Sequence, residues 1–159
     1  MHPAIELATA RLTGAAPPAG VLADGAWNGC FVLGAAVPAA AVDAAGGIPS
    51  LAAVRAALLL NDVEAAANTG ANVLGNPVTA LVRRAERVQL SCLRNVTAQP
   101  LQTWMVNALS GAGHTLRAGQ VVMTGAAAAH KVVAAGETLT ARFDGLGAEP
   151  LRVSVKLAA

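Results

Sequence analysis

Two stretches near the end of the chain alternate apolar and polar residues with a period of two, which constrains the fold more than anything else in the sequence. From Glu137 to Phe143, the residues Leu139, Ala141 and Phe143 fall on one side. Asp144-Gly145-Leu146-Gly147 reads as a turn, and Leu151 to Leu157 alternates back. Period two belongs to a pleated strand, so the pair predicts an antiparallel hairpin with one buried face. A second hairpin is predicted upstream, from a strand over Ala53 to Leu60, the turn pair Asn61-Asp62 and a return strand over Val63 to Ala67. A sheet built from such hairpins needs other elements to cover its apolar face.

Those covers are less sharply written. His2 to Leu12 reads as a strand or a short helix, Thr13 to Gly20 as a loop, and Phe31-Val32-Leu33-Gly34 as a short strand. Ala35 to Ser50 reads as an alanine-rich loop, because Pro38, Pro49 and Gly46-Gly47 oppose a long helix. Asn76-Pro77 is expected to start a helix with Asn76 as cap, its apolar side formed by Leu81, Val82, Ala85 and Val88. A second helix is expected from Pro100, with Trp104 and Met105 in the core, stopped by Gly111 and Gly113. Val121 to Thr124 reads as a strand and the alanines from Ala126 as a loop. The expected class is α+β, a β-dominated mixed sheet or roll with two or three helices, in one domain over 1–159.

Composition enters through the surface. Charged residues make up 13% of the 159 residues, about half the usual ~25%. Alanine supplies about a quarter of the chain and aromatic rings only 3%. So little charge predicts an oligomer or a chain that packs on a partner. A net charge of +2 is too weak for a nucleic-acid binder, which normally carries a basic stripe. Cys30 and Cys92 make neither a disulfide framework nor a zinc-site spacing. The uncharged run from Gly25 to Val42 holds Asn28, Pro38 and glycines, so no membrane span is expected. With no secretory pattern at the first residues, a cytoplasmic location is expected.

Several segments, taken in order, carry a resemblance. Leu116-Arg117-Ala118-Gly119-Gln120-Val121-Val122-Met123-Thr124-Gly125-Ala126 is followed by Val132-Val133-Ala134-Ala135-Gly136-Glu137 and by Ala141-Arg142-Phe143-Asp144-Gly145-Leu146-Gly147. Upstream stand His2-Pro3-Ala4-Ile5-Glu6 with Arg11, Ala23-Asp24, Asn28-Gly29, Gly70, Val73-Leu74-Gly75-Asn76-Pro77 and Trp104-Met105-Val106-Asn107-Ala108-Leu109. Together these resemble the C-terminal portion of the 2-hydroxypenta-2,4-dienoate hydratases and the related oxalocrotonate decarboxylases, both of the fumarylacetoacetate hydrolase superfamily.

The resemblance implies a β-rich roll with one divalent cation, magnesium or manganese, that binds the carboxylate and 2-oxo oxygens of a small keto-acid. A hard cation with oxygen ligands would stabilise the enolate of such an acid. It further implies hydration of a dienol to a 4-hydroxy-2-oxo acid, or decarboxylation of an oxalocrotonate-type acid, in aromatic catabolism. Two departures stand beside it. The family's metal shell uses a Glu-Xaa-Glu pair plus a third glutamate, and here only the third has a counterpart, Glu6. Residues 78–99, rich in arginine, read as an insert. A non-catalytic chain that packs on a complete family member is therefore the competing expectation.

The candidate residues each carry a functional and a plain reading. Glu6 is a metal ligand or an exposed strand-edge carboxylate. Thr124, Gly125 and Ala126 form a substrate-carboxylate loop, where backbone amides and a hydroxyl suit an oxyanion, or a tight turn. Asp24 and Asn28 orient the substrate or cap a turn. Asp62-Val63-Glu64 has the spacing of a metal pair, but its place in a hairpin favours a solvated turn. His130-Lys131 reads as a solvated loop tip, His2 and His114 as structural or exposed, and Trp27 as core or pocket wall. Cys30 and Cys92 read as buried apolar fillers.

Overall fold

A computed structural model of the chain describes residues 1–14, 17–78, 110–115 and 117–159. The two expected helices over Asn76–Val88 and Pro100–Leu109, the insert, Cys92, Trp104 and Met105 lie largely or wholly outside the described residues. Within them the fold is β-dominated, as the alternation requires. A four-stranded antiparallel sheet has the order β4-β3-β5-β6. Its strands are β3 (Arg55–Leu60), β4 (Val63–Thr69), β5 (Thr138–Asp144) and β6 (Leu151–Lys156). A separate two-stranded antiparallel ribbon joins β1 (Ala4–Ala8) to β2 (Asn28–Leu33).

Register shows why the sheet has one dry face. Leu139, Ala141 and Phe143 on β5 lie opposite Leu60, Leu58 and Ala56 on β3, and opposite Val155, Val153 and Leu151 on β6. The ribbon covers part of this face, with Ile5 joining buried Leu139, Ala141 and Val153. A second cluster of Val37, Val42, Leu51, Val54 and Leu146 covers the rest, and Phe143 packs against both. Leu146 belongs to the segment read from sequence as a turn. It is a buried plug, and Gly145 at φ 106° lets the chain double back to place it.

The opposite face is mixed: it buries Ala57, Leu59 and Thr140 and carries a group of ions beside them. Arg55 pairs with Glu64 at 2.6 Å and with Asp144 at 3.6 Å, and Arg142 reaches Asp144 at 3.2 Å. The hairpin turn is as expected, with Asn61 and Asp62 both at positive φ. Asn61 also stitches the turn to β5. Its amide N–H donates to the Thr138 carbonyl at 2.8 Å, and its side-chain oxygen accepts from the Thr138 N–H at 2.9 Å.

Three expectations are corrected. The alanine-rich segment holds a short helix, α2 (Ala39–Ala44), which buries Val42. Pro38 stands just before it and Gly46-Gly47 just after, so these residues bound a helix instead of interrupting one. The chain also turns helical within the expected loop, as α1 (Pro18–Ala23), with proline at its first position. Val121 to Thr124 forms no strand, because among the described residues no neighbouring strand offers it a ladder.

Candidate functional site

Between the ribbon, the Leu51 and Val73 turns, the 119–125 segment and the sheet end lies an open cavity of about 540 Å³. The extended Val121–Thr124 segment forms one wall of it. Leu33, Val54, Val73, Phe143 and Leu146 supply much of the apolar lining, with Thr124 and Gln120 among its polar side chains. Close backbone packing shapes the wall at Gly70, whose N–H donates to the Val54 carbonyl at 2.8 Å. A methyl group there would run into the Leu51 carbonyl.

The Thr124–Ala126 segment is held at the cavity by two local features. Gly125 takes φ 120°, a conformation that only glycine adopts without strain, and lies close to Val73. Asn72 donates its side-chain amide to the Ala126 carbonyl at 3.2 Å. Thr124 and Gly125 both line the cavity, while Ala126 stands behind it. A hydroxyl beside backbone amides, in an apolar setting, is chemistry suited to a carboxylate or enolate oxygen.

The ribbon places the other candidates at graded distance from this turn. Ala4 lies opposite Leu33, and both line the cavity. Glu6, two residues along β1, therefore points to the same side as Ala4, next to Phe31, and is exposed. Ala8 lies opposite Asn28 at the far end, roughly 13 Å from Ala4 at about 3.3 Å per residue. Asp24 and Asn28 are joined through Arg11 and are not among the residues that line the cavity.

Asp24 is only 7% exposed and is fully engaged. The Arg11 backbone N–H donates to its Oδ2 at 3.0 Å, and Arg11 Nε donates to Oδ1 at 2.6 Å. Arg11 also bonds the Asp24 carbonyl, and the Asn28 carbonyl at 3.0 Å. The backbone bond from Arg11, then its side-chain bond, hold the Asp24 carboxyl below the usual carboxylate range. Nothing in the chain's spacing signalled this clamp. It fixes the loop that carries β2.

The remaining candidates separate cleanly. Asp62 and Glu64 do not act as a pair: Asp62 sits in the turn, and Glu64 is bound by Arg55, whose hydrogen bond lowers its pKa. His114, His130 and Lys131 are exposed. His2 lines the cavity, with its ring Nδ1–H donating to the Gly34 carbonyl at 2.9 Å. Trp27 is partly exposed and is not among the residues lining the cavity. Cys30 is exposed, not a buried filler, because it stands on a two-stranded ribbon with little covering it.

Among the described residues, no group of three His, Cys, Asp or Glu side chains comes together. Glu6 is a single exposed carboxylate, whereas magnesium held by protein alone needs two or more. The described residues do not form a metal centre. No helix among them is long and apolar enough to cross a membrane.

Comparison with known proteins bears on the fold. No protein-family model matches the chain. Two solved structures of 4-oxalocrotonate decarboxylase from Pseudomonas putida G7 superpose on it, one complexed with calcium and acetate, the other with magnesium and adipate. Both are 25% identical to this chain, with TM-scores of 0.69 and 0.70. The chain is similar in fold to that decarboxylase. The match covers 98% of this chain, and the chain spans about half of the decarboxylase, 47% and 48%. This supports the fumarylacetoacetate-hydrolase-type resemblance read from the sequence at the level of architecture.

Proposed function

We propose that this chain is the acid-binding part of a lyase for small unsaturated 2-oxo acids. The structural match over nearly the whole chain carries the reading. In it, the Thr124 hydroxyl and the Gly125 amide receive the carboxylate or 2-oxo oxygen of the acid at the cavity wall, and the apolar walls exclude water around it.

Two reactions fit such a site. The sequence segments favour addition of water to a 2-hydroxypenta-2,4-dienoate-type acid, giving a 4-hydroxy-2-oxo acid. The decarboxylase match favours loss of carbon dioxide from an oxalocrotonate-type acid. Water addition leaves an electron pair on the carbon next to the 2-oxo group, and decarboxylation leaves one on the carbon that carried the lost carboxylate, conjugated to the 2-oxo group through the double bond. Both spread onto the 2-oxo oxygen, so both need the same oxyanion support. Magnesium or manganese is the expected cation, and Glu6 is its one candidate ligand here. The other carboxylates come from outside the described residues, in a homo-oligomer or from a complete family member on which the chain packs.

The test is an assay of the purified 159-residue chain on both substrate types, with and without magnesium, alone and mixed with a complete hydratase. The expected result is no turnover by the chain alone. Magnesium-dependent turnover by the chain alone would overturn the reading of it as a part.

A further inference from the structure

Each reaction proposed above has a proton to move, and the described cavity lining offers few groups that can move it. Thr124 and Gln120 supply polar side chains, but neither exchanges its charge state in neutral water. The lining residues that carry a titratable group are Met1, through its ammonium, and His2. The ammonium donates to the Val37 carbonyl at 3.2 Å and, while protonated, has no lone pair with which to accept. His2 differs. Its Nδ1 lies 2.9 Å from the Gly34 carbonyl, and a carbonyl only accepts, so the bond puts a proton on Nδ1. In the neutral ring the lone pair is then on Nε2, which has no hydrogen-bond partner among the described residues. Gly34 thereby fixes both the tautomer and the setting of a ring that lines the cavity.

We infer that His2 Nε2 moves the proton in this cavity, on an acid whose oxygens are held at Thr124 and Gly125. This rests on the acid-site reading above and adds a catalytic residue to it. In water addition, the water oxygen bonds to C4 of a 3-unsaturated 2-oxo acid while Nε2 takes one of the water's protons. The π pair of the C3–C4 double bond moves to C3 and spreads onto the 2-oxo oxygen. Nε2–H then returns the proton to C3, the carbonyl re-forms and the ring is neutral again. In decarboxylation, Nε2–H gives its proton to the 2-oxo oxygen of the dienolate that carbon dioxide leaves behind, and the ring takes another from solvent. A positioned group of this kind contributes on the order of a hundredfold or more to such a step.

The transfer between Nε2 and C3 runs in both directions, so a saturated acid reports it without turnover. The purified chain is mixed with 2-oxobutanoate in deuterium oxide, and proton NMR follows loss of the C3 protons while backbone-amide shifts report binding. The chain should accelerate exchange, and His2→Asn should slow it at least about tenfold with the Thr124 and Gly125 shifts retained. Asparagine keeps an N–H donor for the Gly34 carbonyl and puts nothing in place of Nε2, so a purely structural His2 predicts no change. Added imidazole should restore part of the lost rate. His130→Asn, at an exposed histidine outside the cavity lining, should leave the rate as it was. Binding at Thr124 and Gly125 without acceleration, or with acceleration that His2→Asn leaves intact, overturns the inference and spares the acid site. No saturable binding overturns both. Should His2→Asn fail to fold, nitrogen NMR of the unaltered His2 ring decides: Nε2 must shift when the acid binds, and an unmoved Nε2 overturns the inference.

Discussion

Arg11 and Asp24 show how much one residue pair organises without taking part in the site. Asp24's carboxyl is lowered in the folded chain, so its contribution to stability is complete above the ordinary carboxylate range, about pH 4 and higher. That contribution is lost as pH falls through the lower folded value. Urea midpoints measured from pH 6 down to pH 2 should therefore decline through this window. An Asp24→Asn variant should start less stable and decline less. Arg11→Gln should fall between them, because the Arg11 backbone bond to Oδ2 survives. Glu6 predicts the opposite. It is exposed and makes no described ion pair, so Glu6→Gln should change unfolding stability by less than about 0.5 kcal/mol.

At the scale of elements, the legible parts were those with a strict period or a special turn. Leu139, Ala141 and Phe143 gave β5 its face, and Asn61-Asp62 gave the hairpin its positive φ. What sequence hid was the competition at boundaries. Pro38 and Gly46-Gly47 look like breakers until they are seen to sit at the ends of a six-residue helix. Val121-Val122-Met123 has strand composition but no described partner strand, and the partner decides. Asn61 offers a quantitative check. Asn61→Gly keeps the turn but removes the side-chain bond to Thr138, which should cost about 1 kcal/mol; Asn61→Ala also strains the backbone and should cost more. Leu146→Ala, which removes the plug shared with Val54 and Val37, should cost about 2–5 kcal/mol by chemical denaturation.

For the whole molecule, the cavity joins the pieces. The resemblance pointed to Thr124 and Gly125, and the fold places both on its wall. It also pointed to Asp24 and Asn28, which Arg11 ties together at the Ala8 end of the ribbon and which are not among the residues lining the cavity. Among the described residues no set of metal carboxylates is assembled. Magnesium titrated into the chain alone should therefore bind more weakly than roughly 1 mM by calorimetry. The most direct test of the central claim is a backbone-amide NMR titration with pyruvate. The largest shifts should fall on Thr124, Gly125 and Ala126, and a Thr124→Val variant should lose most of the response. Shifts centred on Arg11 and Asp24 instead, or no saturable shifts at all, would contradict the placement of the acid at this turn.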